Sequence, residues 1–91
     1  MTLCWDEEKR QKTLKERGLD FARCEEVFSG PTLDFEDDRR DYGERRWVTL
    51  GFLETKLVVI VRTEPDDDHT RIISMRHAEP AERRRYEKEM G

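Results

Sequence analysis

The sequence predicts an α+β fold: two N-terminal helices, an antiparallel sheet of about four strands and a C-terminal helix. Three observations carry this reading. Helix caps punctuate the first third of the chain, β-branched and apolar residues concentrate between Arg46 and Arg76, and Pro80 opens a charged, helix-favouring tail. Consecutive strands with short links imply an antiparallel meander with helices packed on one face or end. A length of 91 residues leaves room for a single domain spanning 1–91.

Asp6 is placed to cap a helix running to about Arg17, with Glu7 and Glu8 at the positive end of its dipole and Gly18 as the terminating residue. Beyond Leu14 this helix has little apolar content, so most of its circumference faces water or a polar partner. Asp20 caps a second short helix in which Phe21, Cys24, Val27 and Phe28 share a face, and Ser29-Gly30-Pro31 ends it. Thr32–Phe35 reads as a short strand, followed by a polar link from Glu36 to Gly43. Arg46–Leu53 alternates, with Trp47 and Thr49 on one face and Val48, Leu50 and Phe52 on the other. After the Glu54-Thr55-Lys56 connection, Leu57–Thr63 is apolar and β-branched enough to be the central strand. Pro65–His69 reads as a polar turn, Thr70–Arg76 as a further strand, and Pro80–Glu89 as the last helix.

Charged residues make up 44% of the chain and hydrophobic residues 34%, with 18 basic and 22 acidic side chains. The near-balance of charge and the interspersed aromatics favour a folded domain over disorder. Such a domain buries only roughly 60–65% of its unfolded surface, so a tight partner or self-association would help it. The longest apolar run, Leu57–Val61, is too short to span a bilayer, and nothing near Met1 resembles a signal peptide, so the expected location is the cytoplasm. Cys4 and Cys24 read as free thiols there, and no Cys-x-x-Cys or His-Glu-x-x-His pattern points to a metal or another cofactor. The net charge of -4 is uneven: residues 34–44 carry six acids against Arg39 and Arg40, whereas residues 70–91 carry +2. The acidic link around Asp37-Asp38-Arg39-Arg40-Asp41 is either a solvated segment or a docking site for basic residues. Asp66-Asp67-Asp68-His69 lacks the glycine and downstream glutamate of a calcium loop and reads as a solvated turn.

Several segments, taken in order, resemble one family: Trp5-Asp6-Glu7-Glu8-Lys9, Gly18-Leu19-Asp20-Phe21, Asp41-Tyr42-Gly43-Glu44-Arg45-Arg46, Arg71-Ile72-Ile73-Ser74-Met75-Arg76 and Glu82-Arg83-Arg84-Arg85-Tyr86-Glu87. Together they look like the BrnT toxins. The resemblance implies a RelE-like ribonuclease toxin of a type II toxin–antitoxin pair, which inhibits translation by cutting RNA. Its partner would be a BrnA-like antitoxin with a ribbon-helix-helix domain; DNA would be contacted only through that antitoxin, and the complex can accommodate a toxin homodimer. Thr13, Glu16, Arg17 and Pro65 depart from the family pattern, which often has Asn, Lys-His and an Arg-ending run at these places. Arg17 and Arg62 then take over those roles, or activity is lower.

Metal-free RNA cleavage by the 2'-hydroxyl needs a base, cations around the pentavalent phosphate and an acid for the leaving 5'-oxygen. Guanidinium forks match phosphate oxygens, and Arg62 and Arg76 each end an apolar strand, where a rigid element would hold them. Exposed strand-end arginines making weak ion pairs would look the same in sequence. His77 is the histidine nearest Arg76 in the chain and can serve as acid or base near neutral pH, or simply be exposed. Tyr86 can stack on a base, donate a proton or pack on the sheet. Lys9, Arg45 and Arg46 are candidates for holding the RNA backbone. The competing function is a non-catalytic module that only binds an antitoxin in a DNA-bound autorepressor complex; a purely structural protein is the third reading.

Overall fold

The computed structural model describes residues 2–39 and 41–91. Its elements are β1 (Thr2–Trp5), α1 (Glu7–Arg17), a 3-10 turn (Phe21–Arg23) continuing into α2 (Cys24–Phe28), β2 (Leu33–Asp37), β3 (Arg46–Leu53), β4 (Lys56–Asp66), β5 (His69–His77) and α3 (Pro80–Met90). The five strands form one sheet in the order β1-β5-β4-β3-β2, with β4 at its centre as its composition requires.

Two expectations about the sheet need correction. It has five strands, and it is mixed: β1 pairs parallel to β5, Thr2 opposite His69 and Trp5 opposite Ile72. Four residues are too few to display alternation, and their pairing partner lies far along the chain, so no local signal announces β1. The helices also do not gather on one side. The 3-10 turn and α2 cover one face, where Leu19, Phe21, Cys24 and Val27 join Leu53, Val58, Ile60, Ile72 and Met75. On the other face Tyr86 of α3 joins Val48, Leu50, Leu57 and Val59. Burial on both faces explains why the Leu57–Val61 stretch of β4 is continuously apolar rather than alternating.

The caps act as their sequence suggests. The Asp6 carboxylate accepts from the amides of Glu8 (2.9 Å) and Lys9 (3.4 Å), and Gly18 closes α1 in the left-handed region at φ 69°. Yet α1 buries no side chain at all. It is held by the Arg10 fork on Asp20 (2.8 and 3.2 Å) and by Arg17 Nη1 donating to the Met75 carbonyl (2.9 Å). That last bond occupies a backbone acceptor of β5 beyond the reach of the short β1. Asp20 caps as expected, but it opens a single 3-10 turn and then a five-residue helix rather than one continuous helix. Gly51 of β3 lies beneath α2: a Cβ there would come within 2.8 Å of Val27 Cγ1, so a side chain at this strand position would force Val27 to shift.

The polar turn expected at Pro65–His69 is shorter than its composition suggests, because β4 runs to Asp66 and β5 starts at His69. The Asp66 carboxylate holds this turn, accepting from Asp68 N and pairing with His69 Nδ1, both at 2.8 Å. Pro65 sits where the β4–β5 register shifts, a place that tolerates a residue without an amide donor. Of the acidic link, Arg40 lies outside the described residues. Cys4 and Cys24 are free thiols; Cys24 lies against Met75 with its sulfur 3.7 Å from the thioether, and burial pushes its thiol pKa up to about 12. No helix among the described residues is long and apolar enough to cross a membrane.

Candidate active site

Strand alternation decides which arginines can act together. Arg76 stands opposite Val59, so its side chain lies on the α3 face. Arg62 follows Val61 and turns to the other face, where it meets Thr49 and Asp34. The two arginines are therefore on opposite sides of the sheet.

On the α3 face, an open cleft of about 470 Å³ lies between α3 and the end of β2. Phe35, Val48, Val59 and Val61 give it an apolar floor, and Arg39, Arg76 and Arg85 bring three guanidinium groups to its walls. Arg76 grips Glu82 through both prongs of its fork, Nη1 to Oε1 and Nη2 to Oε2, each 2.8 Å. These hydrogen bonds hold the Glu82 carboxyl below the usual carboxylate range and raise the Arg76 pKa. Glu82 Oε1 also accepts from Glu79 N at 2.8 Å, closing the capping box at the start of α3. The helix N-terminus thus fixes the carboxylate that fixes the arginine.

Across the cleft, Arg39 pairs with Asp37 (Nε–Oδ1 2.8 Å, Nη2–Oδ2 3.0 Å) and the Tyr42 hydroxyl donates to the same carboxylate at 3.2 Å. The Arg39 fork brings the nearly inaccessible Asp37 carboxyl down to about 2 against the cost of burying it. Arg85 differs from its two neighbours. Its guanidinium carbon lies 4.0 Å from the centre of the Phe35 ring, and it makes no ion pair with the described residues.

On the opposite face Arg62 is embedded, its side chain only 13% exposed. Nε donates to Thr49 Oγ1 (3.0 Å), Nη2 to Asp34 Oδ1 (3.2 Å) and Nη1 to Glu64 Oε1 (2.5 Å), with Phe28 beneath at 5.7 Å. Burial works to raise the Asp34 pKa, but hydrogen bonds from Thr49, Thr32 and Arg62 outweigh it and leave the net shift downward. His77 is exposed at the end of β5 on this same face, opposite Val58, with Nε2 3.2 Å from the Arg17 carbonyl. Tyr86 is buried; its hydroxyl donates to Pro31 O at 3.0 Å and its ring meets Phe52 edge-on at 5.5 Å.

The remaining cations lie outside the cleft. Lys9 is exposed on α1, beside a groove that Lys12, Arg17 and Ser74 also line. Arg45 forks onto Glu36 (3.1 Å to each oxygen) above Trp47. Arg46 lies 4.0 Å over the Tyr42 ring and approaches Glu44 at 3.4 Å; its buried Nε finds no hydrogen-bond partner among the described residues. Of the seven residues singled out in the sequence, the cleft gathers only Arg76. Its other cations, Arg39 and Arg85, and its carboxylates, Glu36, Asp37, Asp38 and Glu82, were not among them. A helical-face argument could have found two of them: with Tyr86 packed on the sheet, Glu82 lies on its side of the helix at i−4, and Arg85 neighbours Glu82 at i+3. Among the described residues, no three His, Cys, Asp or Glu side chains converge as metal ligands would.

A five-stranded mixed sheet with helices on both faces and an arginine–carboxylate cleft under its last helix is the framework to set beside known proteins. Residues 5–82 match the family model described as the ribonuclease toxin, BrnT, of type II toxin–antitoxin systems. The chain is thus a member of a class of ribonuclease toxins, and it belongs to the BrnT family. Among solved structures it is similar to the ribonuclease toxin BrnT of Brucella abortus, known from a 1.1 Å crystal structure, with 27% identity and a TM-score of 0.63. The likeness covers 87% of this chain and 97% of that one. No curated protein sequence matches the chain.

Proposed function

We propose that this chain is a metal-independent, RelE-like endoribonuclease that cuts single-stranded RNA in the bacterial cytoplasm and so inhibits translation. The Arg76–Glu82 fork in the α3 cleft is the observation that carries the reading. A phosphodiester presents the same pair of oxygens to a guanidinium as a carboxylate does. When RNA enters, its scissile phosphate displaces Glu82 from Arg76, and the guanidinium stabilises the charge that builds on the pentavalent phosphate. Glu82, still anchored at the start of α3, is left ionised beside the phosphate and takes the proton of the attacking 2'-hydroxyl. As the O2'–P bond forms, the P–O5' bond breaks; water protonates the 5'-oxygen, and Glu82 returns its proton to water. The products are a 2',3'-cyclic phosphate and a 5'-hydroxyl. Arg62, His77 and Tyr86, on the far face or in the core, are assigned to folding. Lys9, Arg45 and Arg46 are left as contacts for flanking RNA.

The family membership supports an antitoxin partner, and we propose a BrnA-like protein whose ribbon-helix-helix domain alone contacts DNA, in a complex that can contain two toxin copies. A domain this small gains much from such binding, about 4 kcal/mol at a thousandfold excess of free partner over Kd. The partner should raise the melting temperature and block cleavage; full cleavage in the saturated complex would refute this part.

A labelled single-stranded RNA incubated with the protein in EDTA tests the activity. Cleavage that survives chelation and disappears in Arg76→Ala is the expected result. One observation favours the alternative, a non-catalytic antitoxin-binding module: Arg76 and Arg39 are already neutralised by carboxylates. RNA left intact at large protein excess would decide for it, as would unimpeded bacterial growth on expression of the soluble chain.

A further inference from the structure

The cleft holds three guanidinium groups, and they are not equivalent. Those of Arg76 and Arg39 each face a carboxylate across two short hydrogen bonds, so an incoming phosphate must compete for them. Arg85 meets no such competitor among the described residues. It is exposed on α3, and its guanidinium carbon lies 4.0 Å from the centre of the Phe35 ring, a cation–π contact that holds the group at the cleft rather than free in solvent. A guanidinium held by a ring, with no carboxylate on its N–H groups, keeps those donors available and loses less freedom when it binds. The cleft is open and runs along the same wall as Arg76, so a flexible single strand can reach both arginines.

From this geometry we infer that Arg85, on its Phe35 platform, is the residue that captures the backbone phosphate of single-stranded RNA before Arg76 exchanges Glu82 for the scissile one. This rests on the cleft being the ribonuclease site. Capture and chemistry are then divided between two arginines: Arg85 sets affinity and Arg76 sets turnover. Its neighbour Arg84 supplies the internal control. It carries the same charge on the same helix, is exposed, and does not line the cleft.

The experiment measures binding of a fluorescent 2'-O-methyl oligoribonucleotide, which lacks the attacking hydroxyl, by anisotropy across a salt series. In parallel, cleavage of the matching unmodified RNA is followed. Arg85→Ala is expected to weaken binding about tenfold and to make the salt dependence shallower by roughly 0.7, the contribution of one phosphate contact on a single strand. Its cleavage defect should lie in KM, with kcat changed less than twofold. Arg84→Ala should bind as the wild type does, and Arg85→Lys should fall between, keeping charge without the fork. Equal weakening by Arg84→Ala and Arg85→Ala, or wild-type binding by Arg85→Ala, would overturn the assignment. A wild-type protein that binds the oligonucleotide through Arg85 but never cleaves RNA would refute the ribonuclease reading while leaving the capture site standing. No binding by the wild type would refute both.

Discussion

Replacing Arg76 by alanine should separate activity from stability. The structural cost can be worked from the contacts. Arg76 and Glu82 retain 39% and 27% of their side-chain exposure, so the pair is partly hydrated and worth about 1 kcal/mol despite its two-pronged geometry. Glu82 would not be orphaned, because its Oε1 still accepts from Glu79 N and α3 keeps its capping box. A loss of about 1 kcal/mol in a domain of this size lowers Tm by roughly 4–8 °C. The catalytic cost is of another order. Removing a preorganised donor from a developing oxyanion lowers rates by about 10²–10³, or roughly 3–4 kcal/mol. Thermal melting followed by circular dichroism, with single-turnover cleavage in EDTA on the same sample, reads both quantities. Arg76→Lys should recover part of the rate, since it restores charge without the fork. Retained cleavage within threefold of wild type would refute the role given to Arg76. A variant that fails to fold would show that the arginine is structural.

Arg62→Ala should reverse that pattern, costing about 2 kcal/mol of stability because it strips a partner from buried Thr49 and from the Asp34 carboxylate, with little loss of kcat at temperatures where it stays folded. Urea unfolding beside cleavage would check this, and a stable but inactive Arg62→Ala would contradict it. Tyr86→Phe should cost about 1 kcal/mol through the bond to Pro31 O and leave cleavage intact; a large fall in kcat would return the tyrosine to the reaction. The Asp37 carboxyl titrates at about 2 in the fold against its ordinary 3.8, so its contribution is complete above about pH 5 and is lost as pH falls towards 2. With Arg39 largely exposed, that contribution is about 1–2 kcal/mol, and Asp37→Asn should flatten the acid limb of the stability profile by this amount. An unchanged acid limb would count against it.

Local signals carried most of the fold. The Asp6 cap and Gly18 stop delimit α1 because caps are properties of a few adjacent residues, and Arg46–Leu53 is legible because its alternation matches a period of two. The features that escaped were non-local. The parallel strand Thr2–Trp5 exists only through a partner more than sixty residues away, and the placement of helices on both faces depends on how far β3 and β4 are buried on each side. The site suffered more from the same limitation. Arg62 and Arg76 look equivalent at their strand ends, but one residue of alternation relative to Val61 and Val59 sends them to opposite faces. Asp37 and Arg39 sit in a charged run whose composition suggests a solvated link, and nothing in that run shows that the Asp37 carboxylate is buried.

The polar attachment of α1 makes the stability of this chain uneven along its length. An element that buries no side chain and is held by polar contacts (the Arg10–Asp20 fork, Arg17 on the Met75 carbonyl and His77 at the Arg17 carbonyl) can detach without opening either hydrophobic cluster. Its amides would exchange with solvent deuterium through local opening, while those of β4 wait for global unfolding. Added salt would speed the first process more than the second, since charge holds the helix and apolar burial holds the strand. Detachment would also uncover the backbone of β5 that the short β1 leaves unpaired, turning a closed margin of the sheet into a strand edge open to pairing.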